Sequence, residues 1–222
     1  MDSNDYCCNR WNSTRDVDEM KWDLIRDGSI QLLPSDIILT RGSSPYAYGI
    51  RFFTRSRKEP KSVVNHSTII EREVLQKDYV IIDISSTVYR HSLYDYDDGK
   101  TGVIILRDIT LSKKERKKIR NKAREYLGRG YSPLKVAGQM IDGILGKITG
   151  KNHTWFTRKL SFDWLIICSY VVAKAYAITG RLFGVEAGVA DPDDILDFAV
   201  RHLGKTHSYI FYTDNMIKHL KV

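Results

Sequence analysis

Cysteine is scarce in this chain: there are three in 222 residues, two of them adjacent at Cys7 and Cys8. That count excludes a disulfide framework, supplies no paired zinc-ligand spacing and is consistent with a reducing compartment. Long apolar runs are lacking too. WLIIC and YVVAKAYAI stop well short of the roughly 20 residues a membrane-spanning helix needs, so no transmembrane segment is expected. The first residues, MDSNDYCCNRWNSTRDVDEMKWD, are polar and partly acidic, without the charged leader and apolar core of a secretory signal. A cytoplasmic location is the resulting expectation, with lysis or a specialised secretion route as the way out of the cell. No internal repeat, low-complexity tract, RNA-stacking motif or helix-turn-helix signature is visible, which disfavours a nucleic-acid partner.

What is present suffices for a globular core. Hydrophobic residues make up 42% of the chain, and 35 basic against 27 acidic residues leave a net charge of +8. Much of the excess lies in RDITLSKKERKKIRNKAREYLGRG, residues 107–130. Ser112 and Glu115 have capping-box spacing, and Ile119, Ala123 and Leu127 recur at helical spacing, which predicts an amphipathic helix with a basic outer face. That face reads first as a solvated surface and second as a contact for an anionic partner such as phospholipid headgroups or an acidic polymer.

Residues 1–30 read as a polar arm with a short helix near Asp18 to Arg26, and residues 31–222 as one domain. A turn at Pro34-Ser35 leads into a strand, DIILTR, and then a rim loop ending in the basic segment TRSRKEPK at 54–61. HSTIIERE at 66–73 and YVIIDIS at 79–85, joined by QKD, predict neighbouring antiparallel strands. GVIILRD at 102–108 predicts another strand, SPLKVAGQMIDGILGKITG at 132–150 an apolar helix, ILDFAVRHL a short helix and YIFYTD a last strand. Strands and helices in this succession indicate an α+β fold. Asp191-Pro192-Asp193-Asp194 has the composition of a helix N-terminal cap.

The chemistry centres on SFDWLIICSYVVAKAYAIT, residues 161–179, where Cys168 stands at the start of a helix and Asp163 is positioned to cap it. A thiol becomes a good nucleophile when a helix N-terminus and an imidazolium lower its pKa. Taken alone, a single cysteine among apolar residues is more often a small buried hydrophobe. His66 opens a strand and shares a face with Thr68 and Ile70, while Ser67, Ile69 and Glu71 face the other way. Asp83 lies among apolar residues on the next strand and needs a partner if buried. Side by side, the acid would hold the imidazole in the tautomer and orientation of a general base; the plainer readings are a satisfied strand histidine and a strand-end turn residue. His91 follows the second strand and reads first as a surface residue and second as one that approaches the cleft; His153, His202, His207 and His219 receive no role. A zinc site from His66, Asp83 and Cys168 lacks a fourth ligand and paired spacing, so neither metal nor cofactor is expected.

The succession PSDIILTRG, NHSTII, VIIDIS, REYLGRGYS, IICSYVVAKAY and DPDDILDF, over about residues 33 to 198, resembles the circularly permuted branch of the NlpC/P60 papain-like cysteine peptidase superfamily, within it the YiiX/YebB-like group. The resemblance implies a papain-like fold with a small antiparallel sheet or barrel packed against helices. It implies Cys168 as nucleophile, His66 as general base, Asp83 as the polar residue that orients the base, and Tyr131 as a residue lining the substrate cleft. Glu71 is the second choice for the third place. Ser35 stands where the family carries glycine. The implied activity is a cysteine hydrolase acting by acyl transfer, with an amidase or peptidase on peptide or cell-wall, peptidoglycan-type amides as the leading expectation. A lipid acyl hydrolase or acyltransferase at a membrane surface, contacted by the basic helix, and a catalytically idle module binding an acidic partner are the alternatives.

Overall fold

The computed structural model describes residues 22–53, 62–74, 78–132, 137–138, 141–142, 144–145, 148–149, 155–159, 166–213 and 216. Most of the expected N-terminal arm, with Cys7 and Cys8, the basic segment 54–61, Asp163, His153 and His219 lie outside the described residues, as does much of the helix expected over 132–150.

Six strands form one open antiparallel sheet: β1 (Ile37–Arg41), β2 (His66–Glu73), β3 (Tyr79–Ile84), β4 (Val88–Ser92), β5 (Gly102–Asp108) and β6 (His207–Tyr212), in the order β4-β3-β2-β1-β5-β6. The sheet or barrel expected from the sequence is therefore a sheet with two edges, β4 and β6. β4 was not expected: in VYRHS only Val88 is buried, Tyr89 and Arg90 are both exposed, and no apolar run or alternation announces the strand.

The runs 37–39 of β1, 69–70 of β2, 80–82 of β3 and 103–106 of β5 are apolar at successive positions because both faces of the sheet are covered there. Ile37, Leu39, Ile69, Ile82, Ile84, Ile104 and Leu106 form one core with the helices α3 (Lys113–Arg124), α5 (Cys168–Ala177) and α6 (Pro192–Arg201). Ile38, Ile70, Ile81, Val103, Ile105 and Phe211 form the other with Ile25 of α1 (Trp22–Arg26), Leu32 and Leu93. Two shorter helices, α2 (Pro45–Phe53), where a rim loop was expected, and α4 (Trp155–Lys159), and a 3-10 turn at Leu93–Tyr96 complete the described elements.

α3 has the capping box expected of it, with Ser112 accepting from the Glu115 N–H and Glu115 accepting in return from the Ser112 N–H. Its charge is not all outward. Lys113, Lys114, Lys117 and Lys118 are exposed, but Arg116 turns inward and, with Arg107 of β5, clamps the fully buried Asp36. A carboxylate at the centre of the fold has to be neutralised in this way. Ser35 beside it has φ +77°, in the left-handed region, which is the physical reason glycine suits that position. The Ser35 carbonyl accepts from the Tyr176 hydroxyl at 2.6 Å, tying the turn to α5. α6 begins with Asp191 as N-cap and a reciprocal Asp191/Asp194 box, as the sequence predicts.

Candidate active site

Three elements converge on one point. α5 crosses β2 and packs on α3, so its first residue, Cys168, arrives at the end of β2 where His66 begins the strand. The N-cap is Ile167, extended at φ −127° and ψ 166°, and among the described residues no side chain caps the helix; Asp163, expected as the cap, lies outside them. Cys168 thus occupies the first helical position, where free N–H groups and the helix dipole favour a negative charge. The sulfur accepts from the backbone N–H groups of Ser67 and Ser169. Ser169 is pinned in turn by its hydroxyl, which donates to the Ala190 carbonyl at 2.7 Å. Cys168 is partly exposed, whereas Ile166, Ile167, Ser169 and Tyr170 around it are buried.

His66 and Asp83 meet across β2 and β3. The register Ile69↔Ile82, continued along the strands, sets Asp83 diagonal to His66 on one face of the sheet. His66 Nε2 is hydrogen bonded to Asp83 Oδ1, and the ring is also hydrogen bonded to Cys168, for which Nδ1 is the nitrogen left. Asp83 is almost fully buried and carries more partners than His66 alone. Its Oδ1 accepts from the Ile84 N–H at 2.6 Å, and its Oδ2 faces His91 Nε2 at 2.9 Å and accepts from the Tyr96 hydroxyl at 2.6 Å.

Electrostatics follow from this geometry. Burial opposes the charge of Cys168, but the His66 imidazolium and the hydrogen bonds to the sulfur outweigh it and lower the thiol below its usual value. Burial likewise opposes a charge on His66, and the Asp83 carboxylate and Cys168 thiolate override it, raising the imidazole well above its usual range. Asp83 is held well below the carboxylate range, against its burial, by His66, His91 and Tyr96. The arrangement can therefore hold a thiolate beside an imidazolium whose far nitrogen is fixed by a buried carboxylate.

Tyr131 lies next to the approach to Cys168: it forms a parallel bridge with Ile166, its N–H donates to the Ser86 carbonyl at 2.9 Å, and its half-buried ring packs against the main core. Glu71, the second choice for the third place, is engaged elsewhere. It sits at the register shift between Ile70 and Arg72 of β2, is fully buried, and receives Arg90 from β4 and Arg124 from α3. His91 corrects the expectation of a surface residue: β4 carries it onto Asp83. Sequence reasoning missed Tyr96 and Ser67 and ranked an approach of His91 to the cleft second. The missing signal was β4 itself, since without that strand nothing places VYRHS beside VIIDI. Ser67 is buried beside the sulfur, and its hydroxyl has no hydrogen-bond partner among the described residues. Among the described residues no group of three or more His, Cys, Asp and Glu side chains is placed to hold a metal ion.

No family model and no curated protein matches the chain. Among solved structures the chain is similar to the crystal structure of metalloprotein yiiX from Escherichia coli O157:H7, at 18% identity and a TM-score of 0.48, with 82% of this chain and 88% of that chain covered.

Proposed function

We propose that this protein is a cysteine hydrolase of the permuted papain-like kind, working by acyl transfer through Cys168, His66 and Asp83. The observation that carries the reading is a partly exposed cysteine at a helix N-terminus, hydrogen bonded to a histidine whose other nitrogen is held by a buried carboxylate. The Cys168 thiolate attacks the carbonyl carbon of an amide, forming the C–S bond while the carbonyl oxygen takes up negative charge. The Cys168 backbone N–H, unclaimed by a side-chain cap, is a candidate donor to that oxyanion. His66, as imidazolium, gives its proton to the leaving nitrogen as the C–N bond breaks. The neutral His66 then takes a proton from water, whose oxygen attacks the thioester and releases the acid with regeneration of the thiolate. Asp83 keeps the ring in register and stabilises its charge throughout. By the sequence resemblance, peptide or cell-wall amides are the leading substrate class.

The test is the rate of alkylation of each cysteine by iodoacetamide between about pH 5 and pH 9, in wild type and His66→Ala, read by peptide mass spectrometry; Cys7 and Cys8 report an ordinary thiol near pKa 8.5. Cys168 is expected to react quickly well below that value and to lose the advantage in His66→Ala. If it follows Cys7 and Cys8 in both proteins, the hydrolase reading fails and an idle binding module takes its place.

A lipid acyl substrate is the second reading, favoured by one observation. Ile141, Ile144 and Ile148, which fall on one helical face, are 40%, 41% and 76% exposed, while Asp142 between them is buried; Trp155 follows at 54% exposed, with Lys159 Nζ 4.4 Å from its ring centroid. Outward isoleucines with tryptophan and basic neighbours are what an interfacial element presents to a bilayer. Flotation with vesicles of phosphatidylglycerol and phosphatidylcholine should recover the protein, and Ile144→Ser with Ile148→Ser should lower the bound fraction severalfold. Equal recovery of the variant, or none of the wild type, removes this reading.

A further inference from the structure

His91 has a carboxylate on each ring nitrogen. Nε2 lies 2.9 Å from Asp83 Oδ2, and Nδ1 lies 2.7 Å from Asp95 Oδ2. A neutral imidazole has one N–H and one bare lone pair, so either tautomer would set a lone pair against a carboxylate oxygen at hydrogen-bonding distance. Only the imidazolium donates at both. The ring is also fixed in plane and tilt: it stacks on Tyr89 with centroids 5.0 Å apart and 18° between planes, and meets Tyr96 edge-on at 5.5 Å and 81°. The groups that face it are therefore Asp83 from β3, Asp95 and Tyr96 from the 3-10 turn, and Tyr89 from its own strand, with His66 beyond Asp83. Burial works against a charge on His91, and the two carboxylates outweigh it and raise the imidazole above its usual range.

Resting on the reading of Cys168 and His66 above, we propose that His91 is a positioning residue, an imidazolium held by Asp95 that pins Asp83 Oδ2 together with Tyr96 and so keeps Oδ1 aimed at His66. The five groups Cys168, His66, Asp83, His91 and Asp95 then alternate in sign from the thiolate outward. Each buried charge has an opposite charge next to it, and the chain ends at Asp95, whose side chain is 59% exposed and solvated. Without His91, Asp83 would keep on Oδ2, among the described residues, only the Tyr96 hydroxyl, and its carboxylate could rotate away from the geometry His66 needs.

Two measurements test this. The first follows the ring carbon and nitrogen shifts of His91 and His66 by NMR across pH, in wild type and Asp95→Asn. His91 is expected to be an imidazolium at pH 6.5 and to titrate at lower pH in Asp95→Asn; a neutral ring at pH 6.5 in wild type overturns the proposal. The second repeats the Cys168 alkylation profile in His91→Phe, which keeps the stacking and removes the donors, and in His91→Gln, which keeps a donor toward Asp83. His91→Phe should move the inflection up by about one unit, about tenfold in rate at pH 6, and His91→Gln should restore most of it. An unchanged profile in His91→Phe, where His66→Ala does change it, sinks the positioning role and leaves the hydrolase reading standing. If His66→Ala has no effect either, the hydrolase reading fails and the positioning role falls with it. Should His91→Phe not fold, Asp95→Asn supplies the alkylation comparison, and an unchanged profile there counts against the proposal.

Discussion

Glu71 and Asp83 are buried carboxylates on neighbouring strands, and their partners give them different work. Glu71 accepts from two guanidiniums, which keep it ionised below the usual range against its burial, and it joins β2, β4 and α3. Glu71→Gln leaves those arginines facing a neutral amide. Because both arginines are partly solvated, the expected loss is about 2 kcal/mol in urea unfolding, below the roughly 3–5 kcal/mol of a fully buried pair, with the Cys168 alkylation profile unchanged. Asp83 binds imidazoles instead, so Asp83→Asn should act on reactivity: the His66 charge loses its counter-charge, and the Cys168 inflection moves toward that of an ordinary thiol. A Cys168→Ser variant should lower the His66 pKa, since the thiolate is one of the groups that raise it, and imidazole shifts across pH report this directly.

At the scale of elements, α3 and α5 show opposite solutions at their first turns. α3 is closed by its Ser112/Glu115 box, and Ser112→Ala is expected to cost about 1 kcal/mol of stability, measured by thermal or urea unfolding. α5 has no side-chain cap among the described residues, and its first-turn N–H groups face the sulfur and are open to an incoming oxyanion. The difference follows from function as proposed: a capping side chain at Ile167 would compete with Cys168 for those donors. Below the helix, Ile119 and Ala123 of α3 and the Val171 to Tyr176 face of α5 supply the apolar contacts that hold the uncapped end in place. The sheet does the rest, since β2 and β3 set His66 and Asp83 on one face, and β4 adds His91 from the edge.

For the molecule as a whole, acid is the expected route to unfolding. Asp83 and Glu71 have folded pKa values below their unfolded ones, so their contribution is fully present above about pH 4, the unfolded carboxylate range, and is lost as pH falls through the folded values. His66 and His91 have raised folded values, so their contribution is complete below about pH 6.5 and declines as pH rises through those values. Stability should therefore be greatest between these limits. The urea midpoint is expected to fall from pH 5.5 to pH 3, and the fall should be smaller in Asp83→Asn. Asp36 runs the other way, raised by burial despite Arg107 and Arg116, and is the one of these three carboxylates whose protonation eases acid stress.

The sequence by itself determined most of the local structure. The apolar runs at 37–40, 79–84 and 102–106, the Ser112 box and the Asp191 cap are local signals, and each marks an element that formed where it was read. Cys168, His66 and Asp83 could also be nominated, because a cysteine at a helix start, a histidine at a strand start and a carboxylate in an apolar strand are each unusual in their own neighbourhoods. The sequence ranked Asp83 ahead of Glu71 for the place beside His66, and the tertiary structure shows what holds each carboxylate. Glu71 is 5 residues from His66 in the chain and Asp83 is 17, yet strand register and the partner arginines give Glu71 to the scaffold and Asp83 to the ring. It also decided the place of His91, whose strand is half exposed and has no pattern of its own. Register, edge pairing and the partnering of buried charge depend on contacts between segments far apart in sequence, and a pattern read along one segment does not contain them.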